Sequence, residues 1–372
     1  MKIYMFIALM GVGGAERVCV SLANEFVKKG QEVHIVVLNL SNDVNTHLLD
    51  KRCKVHELGV SRLRYAALPM MKFIHKHKVD TMLVFGNEMG VIMGHLRSLH
   101  LIRTKIVLRV LNNVNISLSK EDNVSPVVEA YLQKQQKQMG KMEAVITQCQ
   151  AMGDMLLEKR LVSKEKLNCI YNPVSEKVVE GVHREIKYDV PAKAKRIVFI
   201  GRLDPQKQLE HMIDAFALVK EKYPEGILQL VGDGVLKEKL QEKVKKMSLA
   251  DSVLFEGVRK DIEHIYEQAD VVALSSEYEG MPNCLIEAIS AGIPVVSYDC
   301  PIGPSEILVD GVNGFLVENG NIQMLADKLS EALGRDWDEK AVKATAFKFA
   351  PSGIADQYLE VLKKVSGESN AV

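Results

Sequence analysis

The stretch Arg196-Ile197-Val198-Phe199-Ile200-Gly201-Arg202-Leu203-Asp204-Pro205-Gln206-Lys207-Gln208 opens on a short apolar run bounded by charge, empties into a glycine turn and leads into a helical pattern. That order is strand, loop, helix. The same grammar recurs on both sides of it. Upstream, apolar runs at 3–9, 32–38, 81–85, 105–110, 144–148 and 168–171 alternate with helical periodicity. Downstream, runs at 197–200, 227–231, 253–255, 271–274, 294–297 and 315–317 do the same. Continuous short apolar runs alternating with helices make parallel sheets covered by helices on both faces. With 372 residues the chain suits two such layered domains better than one. The expected division is a first domain over 1–175, a linker over 176–195 and a second domain over 196–350, the boundary falling in the charged segment Asn172 to Lys195 that Pro173, Gly181 and Pro191 punctuate. Tyr358-Leu359-Glu360-Val361-Leu362 reads as part of a closing helix at about 353–366.

A loop at the carboxyl end of a strand in an open parallel sheet is where ligands sit. The loop after Ile200 offers two cations, Arg202 and Lys207, suited to a diphosphate and to the negative charge that grows as it leaves; each is equally consistent with a solvated surface charge. A second candidate is Glu279-Gly280-Met281-Pro282-Asn283-Cys284-Leu285-Ile286-Glu287, with a carboxylate at each end. A helix starting near Pro282 would expose its first-turn N–H groups and its positive dipole end, an anion site, and proline suits that opening because it has no N–H to lose. Glu279 then precedes the helix, placed to accept from sugar hydroxyls, and Glu287 lies one to two turns along, within reach of a ribose. A third is the turn Met10-Gly11-Val12-Gly13-Gly14-Ala15-Glu16 after the first strand, whose small residues let a backbone approach a phosphate or sugar. Glu16 stands where a dinucleotide fingerprint would carry its third glycine, so an NAD-linked dehydrogenase is disfavoured.

In this order, Gly13-Gly14-Ala15-Glu16, Gly201-Arg202-Leu203 with Lys207, Val231-Gly232-Asp233-Gly234, Ser276 through Glu287, and Gly303-Pro304-Ser305-Glu306-Ile307 with Asp310-Gly311-Val312-Asn313-Gly314 resemble the GT-B glycosyltransferases. The resemblance is to the large family 4 type of retaining, nucleotide-sugar-dependent enzymes that build bacterial surface polysaccharides and glycolipids. It implies two Rossmann-like domains facing across a cleft, the first binding acceptor and carrying the closing helix, the second binding the nucleotide sugar. It also implies a hexose or N-acetylhexosamine moved from a UDP-linked donor to a lipid-linked or growing glycan, with no cofactor beyond the donor. By the same resemblance Arg202, Lys207 and Glu279 are catalytic. Gly13, Gly14, Arg109, Met281, Asn283, Cys284, Leu285 and Glu287 bind the donor. Many relatives place a histidine or acidic residue after the fourth strand of the first domain, whereas here the run is Leu108-Arg109-Val110-Leu111-Asn112-Asn113. Acceptor reading is expected from this loop and from 114–140, where Gln133 to Met139 is too polar for core. Two other readings stay open: a nucleotide-sugar epimerase of the same fold, and an inactive nucleotide- or glycan-binding assembly subunit.

A metal is not expected. The one Asp-x-Asp pair, Asp336-Trp337-Asp338, follows a helix far from any glycine turn, His75 and His77 lack a third ligand, and six cysteines show no C-x-x-C pair. Hydrophobic residues make 47% and charged residues 26%, an ordinary soluble balance. No run is long enough to span a bilayer and no cleavage site follows Met1, so a cytoplasmic protein is expected; Asn115-Ile116-Ser117 and Asn123-Val124-Ser125 then have no glycosylation role. The zero net charge hides an asymmetry: 27 basic against 19 acidic residues over 1–190, and 21 against 29 over 191–372. A basic first half suits an anionic membrane surface, and nucleic acid is not an expected partner. The stretch 62–78, with Arg62, Arg64, Lys72, Lys76 and Lys78 beside Leu63, Ala66, Ala67, Met70, Met71 and Ile74, reads as a membrane-surface helix interrupted at Pro69.

Overall fold

The computed structural model describes residues 1–11, 13–41, 43–111, 138–175, 178, 181–182 and 194–368. The chain forms two compact units, Met1–Pro173 with Phe349–Val372, and Val174–Lys348. Asn112, the segment 114–137 and most of 176–195, all singled out above, lie outside the described residues.

In the first unit seven strands run β1 (Lys2–Phe6), β2 (Glu32–Val37), β3 (Lys54–Glu57), β4 (Thr81–Phe85), β5 (Lys105–Arg109), β6 (Ala144–Thr147) and β7 (Leu167–Cys169). They lie in the order β3-β2-β1-β4-β5-β6-β7, with every pairing parallel. β4 is buried along its whole length, as an apolar run covered on both faces must be. Lys54–Glu57 is a strand that periodicity does not show. Only Val55 in it is apolar, and charge is tolerated because β3 is an edge with β2 as its one neighbour. Three helices of this unit matter below: α1 (Gly14–Lys28), α2 (Ala67–His77) and α3 (Asn87–Ser98).

The second unit holds β8 (Arg196–Ile200), β9 (Ile227–Val231), β10 (Val253–Gly257), β11 (Val271–Leu274), β12 (Val295–Tyr298) and β13 (Gly314–Val317). Their order is β10-β9-β8-β11-β12-β13, again wholly parallel. In both sheets the chain builds outward one way and then returns to the centre to build the other way. The switch points therefore fall between β1 and β4 and between β8 and β11.

The last helix, Pro351–Ser366, belongs to the first unit. Lys29 meets Asp356 at 2.8 Å and donates to Ser352 Oγ at 2.9 Å, while Lys105 Nζ donates to the Val365 carbonyl at 2.8 Å.

Three expectations for the first unit are corrected. Pro69 does not interrupt α2. It is the third residue of that helix, in the first turn, where a missing N–H costs no intrahelical bond. The apolar side of α2 faces inward: Ala66 and Met70 are fully buried and Phe73 and Ile74 nearly so, leaving Tyr65 and Leu68 as the exposed large apolar groups there. Likewise Gln138 and Met139, placed above in a segment too polar for core, are both buried.

Candidate functional site

The loops at the carboxyl ends of β8 and β11 flank the switch point of the second sheet and are sewn together. Glu277 N donates to the Gln206 carbonyl at 2.9 Å, Gln206 Nε2 to the Tyr278 carbonyl at 2.7 Å, and Ser275 Oγ to the Lys207 carbonyl at 2.8 Å. Gln208 turns the chain into the helix Leu209–Lys222 with a left-handed backbone, φ 44°. This stitching carries Lys207 Nζ to 2.6 Å from Glu279 Oε1. The pair is mostly buried, at 13% and 8% side-chain exposure. Burial by itself acts to lower the Lys207 ammonium, but the facing Glu279 charge and its hydrogen bond outweigh it and hold the group above its ordinary value.

Two neighbouring turns close on this centre. Gly232 and Gly234 lie against the Gly201–Leu203 turn so tightly that a β-carbon would fall 1.9 Å from the Gly201 carbonyl oxygen at the first and 2.4 Å from that of Leu203 at the second. Gly303, at φ 101°, opens the short turn Pro304–Ile307, and a β-carbon there would stand 2.4 Å from the Gly280 carbonyl oxygen. These glycines let four loops share one edge of the sheet.

The helix Asn283–Ser290 begins just after Pro282, as expected from the proline. Its second turn carries Glu287, 2% exposed, whose Oε2 accepts from the hydroxyl of the fully buried Tyr266 at 2.8 Å. The same hydroxyl reaches the Cys284 carbonyl at 3.3 Å. Tyr266 lies in the helix Ile262–Gln268 and was not singled out in the sequence, where nothing separates it from an ordinary core aromatic.

The expected site residues divide accordingly. Lys207, Glu279, Met281, Asn283, Cys284 and Glu287 share this edge of the second unit. Arg202 is on the same turn but 74% exposed, with a guanidinium nitrogen 3.1 Å from Asp204 Oδ2. Leu285 has a fully buried side chain, and its amide donates to the Pro282 carbonyl at 3.1 Å at the start of the helix. Arg109, expected at the donor, is 1% exposed inside the first unit. Its guanidinium lies over the Phe85 ring and donates to Tyr358 Oη at 3.0 Å and Asn172 Oδ1 at 2.5 Å. It joins β5 to the last helix and to the end of the first unit's chain. In the β1 turn Gly13 precedes α1, and a β-carbon on it would fall 2.1 Å from Glu16 Oε2. The protein's own carboxylate thus folds over that helix start, and burial pushes the Glu16 carboxyl above the usual range. Asp338 of the Asp-x-Asp pair caps the helix Glu339–Thr345, accepting from the amides of Lys340 and Ala341 at 3.0 and 3.2 Å.

Two doubly wound parallel sheets, each with its ligand edge at a central switch point, define the GT-B class of transferases. Solved structures match this architecture over the chain: Anabaena HepE in complex with UDP, with TM-score 0.76 and 21% identity over 98% of this chain and 100% of that one, and S. aureus TarM, with TM-score 0.76 and 14% identity over 97% and 99%. The family model described as Glycosyltransferase Family 4 matches residues 12–178, and that described as Glycosyl transferases group 1 matches residues 184–348. A Campylobacter jejuni protein, N-acetylgalactosamine-N,N'-diacetylbacillosaminyl-diphospho-undecaprenol 4-alpha-N-acetylgalactosaminyltransferase, is 27% identical over 358 residues, 93% of each chain. The poly(ribitol-phosphate) alpha-N-acetylglucosaminyltransferase of Staphylococcus aureus is 28% identical over 45% of this chain and 35% of its own. The chain belongs to the GT-B glycosyltransferases of family 4 type.

Proposed function

We propose that this glycosyltransferase moves a hexose or N-acetylhexosamine from a UDP-linked donor to a lipid-linked or growing glycan in surface polysaccharide or glycolipid synthesis, with retention at the anomeric carbon and without a divalent metal. The observation that carries the reading is the buried Lys207–Glu279 pair at the switch point of the second sheet. Breaking a glycosyl–phosphate bond leaves charge on the departing diphosphate. An ammonium fixed in a poorly hydrated site stabilises that charge without reorganising, and the start of the helix Asn283–Ser290 adds its dipole. Arg202, exposed on the same turn and paired with Asp204, completes the anion's surroundings. Glu279 orients Lys207 and accepts from the donor sugar's hydroxyls, while Glu287, held by Tyr266, takes the ribose. The first unit binds the acceptor, and the names of the relatives, one acting on a diphospho-undecaprenol glycan and one on poly(ribitol phosphate), favour such an acceptor. The basic first half leans on anionic lipid at the inner face of the membrane; among the described residues no helix is long and apolar enough to cross one.

The test is release of UDP from a panel of UDP-sugars with and without lipid-linked acceptor, the product's anomeric configuration being read by NMR. Acceptor-dependent release with the donor's configuration kept is the expected result. Interconversion of the free nucleotide sugar without acceptor would favour the epimerase reading, and UDP binding without turnover the assembly-subunit one.

A further inference from the structure

A cavity of about 290 Å3 opens at the amino-terminal edge of the first sheet, where α2 leads into β4 and α3 into β5. β4 and β5 are five residues long, so the cavity lies roughly 15 Å from the glycine-turn edge of the same sheet. It is a separate feature, not an extension of the site described above.

The cavity has an apolar floor and a basic rim. Ile74, Val79 and Ile102 are buried beneath it, and His75, Lys78, His100 and Arg103 stand exposed around it with one carboxylate, Asp80. Among the described residues neither Lys78 nor Arg103 has an ion-pair partner. Cations at helix ends are ordinarily accounted for by the helix dipole. Here part of the terminal carbonyl set is already bonded by the chain itself: Val79 N donates to the Ile74 carbonyl at 3.1 Å, His100 N to that of Arg97 at 2.8 Å and Leu101 N to that of Leu96 at 2.9 Å. Lys78 and His100 moreover occupy left-handed backbone, φ 51° and 57°, where glycine would sit without strain. Beside the rim two leucines are turned to solvent, Leu101 at 41% and Leu99 at 67% exposure.

A pocket with cations around an apolar floor suits a phosphate ester, and the two leucines on its lip supply what a free phosphate would not need. We propose that this cavity binds the phosphate of an anionic phospholipid headgroup while Leu99 and Leu101 enter the acyl boundary. The proposal rests on the membrane contact proposed above and locates it: with the apolar side of α2 turned into the core, the end of that helix and the α3–β5 loop make the contact.

Co-sedimentation with phosphatidylglycerol–phosphatidylcholine vesicles, against pure phosphatidylcholine, tests this. At physiological salt Lys78→Gln/Arg103→Gln should weaken binding to the anionic vesicles about tenfold to thirtyfold, from about 1 kcal/mol per cation. Leu99→Ser/Leu101→Ser should weaken it too, with thermal unfolding and turnover on a soluble acceptor unchanged for both. Arg62→Gln/Arg64→Gln/Lys72→Gln/Lys76→Gln, outside the cavity, should lose less. If the four-site variant loses binding while the cavity variants keep it, the membrane reading stands and this proposal falls. If the unaltered protein ignores anionic vesicles, both fall. Glycerol 3-phosphate shifting the Lys78 and Arg103 resonances of a protein that does not sediment with vesicles would overturn the lipid source.

Discussion

Lys207→Ala tests the site most directly, because the structure makes it a stability experiment as well as a kinetic one. The ammonium and the Glu279 carboxylate are 2.6 Å apart at 13% and 8% side-chain exposure. Deleting the cation leaves a buried, uncompensated carboxylate, which costs about 3–5 kcal/mol. The unit spans Val174–Lys348, a size at which each kcal/mol moves Tm by about 2–4 °C, so its calorimetric transition should fall by roughly 6–20 °C. Sequence position alone suggests a variant crippled in turnover but folded as before; burial of the pair removes that expectation. Lys207→Met/Glu279→Leu removes both charges and should recover most of the lost Tm, since apolar replacement of a whole buried pair is close to neutral. Turnover should not recover in it. Measured below both transitions, kcat should fall on the order of 100-fold or more in either variant, as for loss of one transition-state donor. The pH dependence has a fixed sign. A Lys207 ammonium held above its ordinary value contributes stability that is complete below the unfolded lysine's pKa of about 10.4 and disappears as pH rises through the folded value. The Tm gap between Lys207→Ala and the unaltered protein should therefore be constant from neutral pH to about 9.5 and narrow above that. A variant within about 2 °C and threefold of the unaltered protein would refute both the pairing energy and the proposed role.

Tyr266→Phe deletes a hydrogen bond to a buried carboxylate, worth about 1.5–3 kcal/mol for a charged acceptor, so UDP affinity by calorimetry should fall about tenfold or more with the fold intact; unchanged affinity would detach Glu287 from the nucleotide. In the first unit burial first, then His34 and His77, push the His56 imidazole down to about 4 from 6.5, while His34 Nδ1 and His56 Nε2 share a hydrogen bond at 2.9 Å. The stability this represents is complete above pH 6.5 and is lost as pH falls toward 4, because the unfolded chain takes up its proton first. His56→Gln should flatten Tm against pH in that window, and an unchanged acid slope would contradict it. Activity should survive EDTA, since Lys207 and the helix start take the role of a cation; loss reversed by Mg2+ or Mn2+ would show that a metal neutralises the leaving diphosphate.

Six parallel strands in each half, and the turns that carry Gly13, Arg202, Lys207 and Glu279, were legible in the sequence. Apolar runs of three to seven residues between helical periods are a local signal, and Pro282 marks its helix start by having no N–H. Four features belong to the tertiary structure alone. Lys54–Glu57 becomes a strand because β2 offers it an edge, not because of its own residues. The apolar residues of α2 look available for lipid when read along the chain, yet β-sheet packing takes them into the core. Arg109 ends β5, where a ligand contact is reasonable, and the last helix returns to the first unit so that its Tyr358 receives the guanidinium, 249 residues away in sequence. Lys207 and Glu279 are 72 residues apart, and Tyr266 and Glu287 are 21. Periodicity reports which face of its own element a residue occupies. Which distant side chain it meets is decided by strand order, here by β8 and β11 lying side by side at the switch point.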